Sequence, residues 1–309
     1  MSNRIAYDNT AQNKYMKGMI ISPTAFKIGS NILKAILMEI ICTPKPGLVD
    51  RANAGAHKDM DISTFMQSTA AIAHFMSVAA QVAMDHRGDL NALLPKIRAI
   101  GLSAEEEMFL ATDNVNTQKG LIFSGMLIAA AAGYLTARET GDLKLLRIIQ
   151  TIQKITEGIV ERELMQLDKN EQKITAGEWL FLDSGVTGIR GEAEKGFPNA
   201  EAAYQVIVKA NASGIPFERG LIMALLFLMT RVDDTNILAR HGAETLTYVR
   251  NQANKLVLSE NAYSDEWLDK VRELDKDFIE QNISPGGCAD LLAVALMFYY
   301  LTIPDKRMH

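Results

Sequence analysis

The chain has 309 residues, with 32 Lys and Arg against 37 Asp and Glu and a net charge of −5. That length can bury a sizeable core, and 48% hydrophobic with 22% charged residues excludes a disordered, collagen-like or disulfide-stapled protein. The acidic balance also excludes a dedicated nucleic-acid binder, whose phosphate contacts need a basic surplus.

Residues 1–22 are polar and mixed in charge, without the apolar run of a signal peptide. They are expected to form a loose or partner-bound arm ahead of one all-helical domain over 23–309. Ile28, Ile32, Ile36 and Ile40 recur every fourth residue and predict a helix over about 24–41. Further helices are expected near 62–86, 90–111, 118–138, 143–166, 175–183, 197–212, 216–231, 236–258, 264–282 and 287–302. Ser103-Ala-Glu-Glu106 has the form of a capping box. Ser284-Pro285 has the form of a cap residue before a first-turn proline. No segment alternates polar and apolar residues between hairpin turns, so the fold class is all-α, with about ten or eleven helices.

The apolar stretches 120–137, 221–230 and 291–301 fall short of the roughly 20 uninterrupted apolar residues of a membrane span. They read as core helices, with no membrane partner. Two cysteines, Cys42 and Cys288, are too few for a disulfide framework and point to a reducing, cytoplasmic setting.

Glycine is not evenly spread. Five segments, 43–61, 116–125, 185–198, 231–242 and 284–290, carry eleven of the 21 glycines and four of the eight prolines. Interhelix turns attract both residues in any case. The same segments are dense in charge, however, and suit close backbone approach to a ligand at helix N-termini facing one cleft.

The first segment offers Lys45, Arg51, Asn53, His57, Lys58 and Asp59; His57 with Asp59 suits a metal or an acid–base role, or simply a satisfied histidine. The second offers Asn116, Gln118 and Lys119. A cation at the start of a helix opposes its dipole, so Lys119 points to an anionic ligand. In the third, Arg190 lies between glycines ahead of Glu192 and Glu194, placed to fork onto a phosphate or to join a solvated patch. The fourth puts Asp233, Asp234 and Asn236 in an oxygen cluster suited to Mg²⁺, with Asp234 or Thr235 also expected to cap the next helix; Arg240 follows. The fifth, with Ser284, Gly286 and Gly287, offers backbone N–H groups to an anion. Asp290 there favours the helix dipole without any further role. No phosphate-binding P-loop, dinucleotide fingerprint, HExxH, CxxC or GxSxG motif occurs.

Together the segments TPKPGLVDRANAGAHKDMD, VNTQKGLIFSG, GIRGEAEKGFP, DDTNILARHG and SPGGCADLLA, in that order, resemble the triphosphoribosyl-dephospho-CoA synthase family. The resemblance runs from about Thr24 to about Tyr300. It implies an all-helical transferase that moves the triphosphoribosyl part of ATP onto the 2′-hydroxyl of 3′-dephospho-CoA and releases adenine. The product is the prosthetic-group precursor for the acyl carrier subunit of citrate lyase or malonate decarboxylase, attached afterwards by a separate transferase. One position departs from the family pattern, which reads NTHKG where this chain has Gln118.

Such a reaction assigns triphosphate binding to Lys45, Arg51, Lys58, Lys119, Arg190 and Arg240. It places Mg²⁺ on Asp233 and Asp234 or on Glu192 and Glu194. It leaves acid and base open among His57, Asp59, Glu192 and Asp234. Asn53, Asn116, Gln118, Asn236, Ser284, Gly286 and Gly287 complete the expected substrate contacts, and a homodimer is one expected assembly. A Mg²⁺-dependent N-ribosyl hydrolase and a non-catalytic nucleotide- or CoA-binding module are the rival readings.

Overall fold

A computed structural model describes residues 19–167 and 174–303. The arm proposed for residues 1–22 lies outside them except for its last four residues. There Met19 and Ile21 pack on the core, and Ser22 caps the first helix through its hydroxyl, which accepts the Ala25 N–H at 3.2 Å.

The described chain is built from helices: α1 (Pro23–Ile41), α2 (Ile62–Asp85), α3 (Leu94–Ala111), α4 (Lys119–Thr136), α5 (Leu145–Thr156), α6 (Ala176–Ser184), α7 (Gly188–Glu194), α8 (Pro198–Ala212), α9 (Phe217–Met229), α10 (Thr235–Val257), α11 (Asp265–Glu280) and α12 (Gly286–Thr302). The isoleucine ladder of α1 is buried, as its spacing requires. Asp61 and Thr64 close a reciprocal capping box at the start of α2.

Three local expectations change. Ser103 is not a cap: it sits inside α3, buried, with its hydroxyl on the Ala99 carbonyl at 3.5 Å. The helix expected over 143–166 ends at Thr156, because Gly158 takes a φ of +72° that breaks it before a short wide turn at Glu161–Met165. The third glycine segment, expected as a turn, contains α7.

Helices α1, α2, α4 and α12 pack on one another at the centre. Helix α3 covers α2 and α4, α8 and α9 cover α12, and α10 lies on α9. Buried apolar side chains from Ala25 to Phe298 form one contiguous cluster. Among the described residues α4 alone is long and apolar enough to cross a membrane, and 72% of its span is buried inside the protein, as in a core helix. This arrangement brings the N-terminal ends of α4, α7, α10 and α12 around one pocket.

Candidate active site

The pocket has a volume of about 960 Å³. Helices α3 and α4 give it an apolar wall that includes Ile97, Phe109, Phe123 and Met126. The polar wall comes from four of the five glycine-rich segments: Asn116, Lys119 and Gly120 from the second, 186–192 with Lys195 and Pro198 from the third, joined by Asn199 just beyond it, 231–236 from the fourth, and Gly287 and Asp290 from the fifth.

Of the cations expected on sequence grounds, Lys119 and Arg190 line this pocket. Neither is idle. The Lys119 ammonium meets Glu105 at 3.0 Å. Arg190 donates to Glu163 at 3.0 Å and to Glu178 at 3.1 Å, and Glu163 also pairs with Arg98. Two further cations, Lys195 and Arg231, line the wall and make no ion pair among the described residues, though both act on the charge of nearby Glu192. The Arg231 guanidinium lies 5.2 Å from the Phe227 ring centroid, an apolar and π contact that leaves its N–H groups to a ligand.

The carboxylates divide by partner. Asp234 is buried and caps α10: its Oδ1 accepts the N–H groups of Asn236 at 2.9 Å and Ile237 at 3.3 Å. Its Oδ2 accepts the Cys288 N–H at 2.9 Å. Burial pushes its carboxyl up, and those three N–H groups oppose the shift. Asp233 is paired with Arg250 at 2.7 Å. Glu192 accepts the Asn199 amide at 2.6 Å and the Asn199 N–H at 3.3 Å. Burial raises its carboxyl, and Asn199, Lys195 and Arg231 hold it back. Glu194 faces a different cleft, beside Arg147 and Lys154. Asp290 has no hydrogen-bond or ion-pair partner among the described residues. Burial, then Glu39 and Asp234, push its carboxyl up to about 8. Among the described residues no three His, Cys, Asp or Glu side chains are grouped to hold a metal.

The first segment lies outside the pocket lining and is satisfied by its own contacts. Lys45 is buried against Glu39 at 2.5 Å. Asp50 accepts the Lys45, Ala52 and Asn53 N–H groups. Arg51 pairs with Glu218 at 2.5 Å. The Asn53 amide donates to Asp275 at 2.9 Å. His57 Nε2 meets the Ser284 hydroxyl at 2.9 Å, with Asp59 3.9 Å from Nδ1. Burial and then the nearby Arg240 charge lower the His57 pKa, and Asp59 opposes them. Lys58 is exposed beside it. Ser284 therefore does not cap α12; its hydroxyl is committed to His57.

Gln118 also points away from the pocket. It is buried, its Oε1 accepts the Ser68 hydroxyl at 2.8 Å, and its Nε2 donates to Thr69 Oγ1 at 3.1 Å. The side chain at this position ties the start of α4 to α2. Asn236 and Gly287 stay on the pocket wall. Gly286 is not on it, but lies so close to Asn236 that a Cβ would come within 2.5 Å of the amide nitrogen.

Sequence reasoning missed Lys195, Arg231 and Asp290 as pocket residues. The first two stand inside or at the edge of nominated segments, but flanking acids masked them. Asp290 was explained by helix electrostatics alone. Its signal was the glycine at 120, whose reason appears only when α4 meets α12.

A family model described as ATP:dephospho-CoA triphosphoribosyl transferase matches residues 25–307. Among curated proteins, the chain is similar to a probable 2-(5″-triphosphoribosyl)-3′-dephosphocoenzyme-A synthase of Malonomonas rubra, 38% identical over 285 residues that cover 91% of this chain and 90% of the relative. A protein of the same description from Albidiferax ferrireducens is 41% identical over 271 residues, covering 87% and 88%. The 2-(5″-triphosphoribosyl)-3′-dephosphocoenzyme-A synthase of Pectobacterium atrosepticum is 37% identical over 278 residues, covering 88% of each chain. No solved structure matches the chain.

Proposed function

The chain belongs to the ATP:dephospho-CoA triphosphoribosyl transferase family, and from that premise we propose that it moves the triphosphoribosyl group of ATP onto the 2′-hydroxyl of 3′-dephospho-CoA, releasing adenine, in the pocket at the starts of α4, α7, α10 and α12. The observation that carries this siting is the convergence of four separate glycine-rich segments on one cavity that holds two cations engaged in no ion pair.

The reaction breaks an N-glycosidic bond and makes an O-glycosidic bond at the same ribose carbon. Its first requirement is to hold a highly charged triphosphate. Lys195 and Arg231 are free to do so. Lys119 and Arg190 join them by exchanging Glu105 and Glu163 or Glu178 for phosphate oxygens, a charge-assisted contact that Arg makes in bidentate form. Mg²⁺ is proposed only as the ion accompanying the triphosphate, where it neutralises charge. Such an ion takes one or two carboxylates beside phosphate oxygens, and Asp233 is the nominated pocket residue for it, Glu192 being needed for proton transfer. Glu194 lies outside the pocket, and Asp234 already spends both oxygens on backbone N–H groups.

The second requirement is a base for the attacking hydroxyl. Glu192 is assigned that role, since a raised carboxylate pKa makes it a stronger proton acceptor. The third is exclusion of water, which competes for the same carbon. Thr175, Ala176 and Gly177 at the start of α6 line the pocket, and the Glu178–Arg190 pair fastens that helix to α7. The cations around His57, Lys58 and Arg240, are proposed to receive phosphates of dephospho-CoA. Buried free thiols at Cys42 and Cys288 support a reducing, cytoplasmic setting. The product is proposed to pass to a carrier-protein transferase serving citrate lyase or malonate decarboxylase. Adenine release from ATP that requires dephospho-CoA tests the reaction; release without the acceptor would mark a hydrolase.

A further inference from the structure

We propose that Asp290 is the proton donor to the departing adenine, a catalytic role that rests on the transfer reaction assigned above. Three observations place it there. Asp290 lines the pocket from the first turns of α12. Its carboxylate rests on the backbone of α4: a Cβ at Gly120 would lie 2.3 Å from its Oδ2. That is closer than atoms pack, so the second residue of α4 is glycine where Asp290 needs the space. Finally, Asp290 differs from the other pocket acids. Glu105, Glu163 and Asp233 are paired with cations, Glu192 is held by Asn199, and Asp234 is held by backbone N–H groups. Asp290 has no such partner among the described residues and remains available to a ligand.

Its surroundings keep it protonated. The charged groups facing it are Glu39 on α1 and Asp234 at the cap of α10, both acidic. The buried cation Lys45 is itself held by Glu39 at 2.5 Å. Desolvation and then two like charges favour the neutral acid at pH 7, which is the form a general acid requires.

The step balances with residues on the pocket wall. The Asp290 carboxyl gives its proton to a ring nitrogen of adenine as the bond from C1′ to N9 breaks, and the bonding electron pair leaves with the base. The 2′-oxygen of dephospho-CoA bonds to C1′ and yields its proton to the Glu192 carboxylate. After adenine departs, exchange with solvent returns a proton to Asp290 and removes one from Glu192.

The test compares the full chain with its Asp290→Asn variant on ATP and on N7-methylated ATP, with dephospho-CoA present. The methylated base leaves as a neutral molecule without taking a proton. With ATP the variant should lose roughly 10²–10⁴-fold in kcat, with KM for ATP changed less than about threefold. With the methylated nucleotide the loss should shrink to about tenfold or less, because the proton is no longer needed. Wild-type kcat/KM for ATP should also fall above about pH 8, and the variant should lack that limb. Gly120→Ala, which displaces the carboxylate without removing it, should lower kcat with ATP as well, and it stands in if Asp290→Asn fails to fold. A wild-type chain with no acceptor-dependent adenine release overturns the transfer reading and this role together. An active wild type with a fully active Asp290→Asn variant, or equal losses on both nucleotides, overturns the proton-donor role alone.

Discussion

The Asp234 carboxylate accepts the Cys288 backbone N–H at 2.9 Å while its other oxygen caps α10. One buried side chain thus fixes the N-terminal ends of two helices that both open onto the pocket. The residue sits in an oxygen-rich cluster that reads as a metal site in sequence, and its contacts are those of a tether.

Removing the tether should destabilise the chain. Asp234→Ala abolishes a cap and leaves buried N–H groups without acceptors, at a combined cost of roughly 2–4 kcal/mol. Asp234→Asn keeps the Oδ1 acceptor but turns an amide donor toward the Cys288 N–H, so its loss should be about half as large. Urea unfolding of both variants measures this. Wild-type stability in Asp234→Ala would show that the two helix starts hold each other without it.

Gln118 should likewise act on stability and leave substrate binding alone. Its amide bonds are to Ser68 and Thr69, away from the pocket. Gln118→Ala should cost roughly 1–3 kcal/mol, the usual penalty for unpaired buried polar groups, and leave KM for both substrates within about threefold. Gln118→His, which puts a ring nitrogen within reach of Ser68 and Thr69, should keep turnover. A large rise in either KM with unchanged thermal stability would place Gln118 against substrate instead.

The cations sort by what they already hold. Arg231→Ala and Lys195→Ala remove unpaired pocket charges and should each raise KM for ATP about tenfold or more, as expected for a charge-assisted contact of roughly 1.5–3 kcal/mol. Arg51→Ala breaks an exposed pair outside the pocket and should leave KM for ATP nearly unchanged. Lys45→Ala strands the buried Glu39 and should cost roughly 3–5 kcal/mol in stability. Initial-rate kinetics across an ATP series, with thermal melts as control, distinguish the three outcomes.

The helices were legible because most are periodic and punctuated. Expected spans such as 62–86 and 287–302 differ from α2 and α12 by a residue. Helix α7 was not legible: seven residues with glycine at two positions carry no periodicity to read. The site was legible as segments but not as contacts. Four glycine-rich stretches do meet, yet the conspicuous one, with Lys45, Arg51 and His57, is not part of the pocket lining. Charge alone cannot show whether a lysine faces a ligand or a buried glutamate such as Glu39. Nor can the type of residue 120 show that the Asp290 carboxylate lies against it.

Stability should carry the mark of Asp290. An aspartate in the unfolded chain loses its proton near 3.9, whereas Asp290 in the folded chain keeps its proton up to about 8. Between those values the folded state binds the extra proton. Stability therefore falls as pH rises, by at most about 1.4 kcal/mol per pH unit from this group. Asp290→Asn should remove that part of the slope and melt at a higher temperature than wild type at pH 8, while the two converge near pH 4. Thermal melts from pH 4 to 8 measure the difference. Parallel curves would mean that the folded state holds Asp290 no more tightly protonated than the unfolded chain does.

Transfer itself is read by following adenine and the acceptor in one reaction. Purified chain with ATP, Mg²⁺ and 3′-dephospho-CoA should release one adenine for each dephospho-CoA that gains the mass of a triphosphoribosyl unit, with release near background when the acceptor is omitted. Adenine released at the same rate without dephospho-CoA, or dephospho-CoA of unchanged mass, would contradict the account.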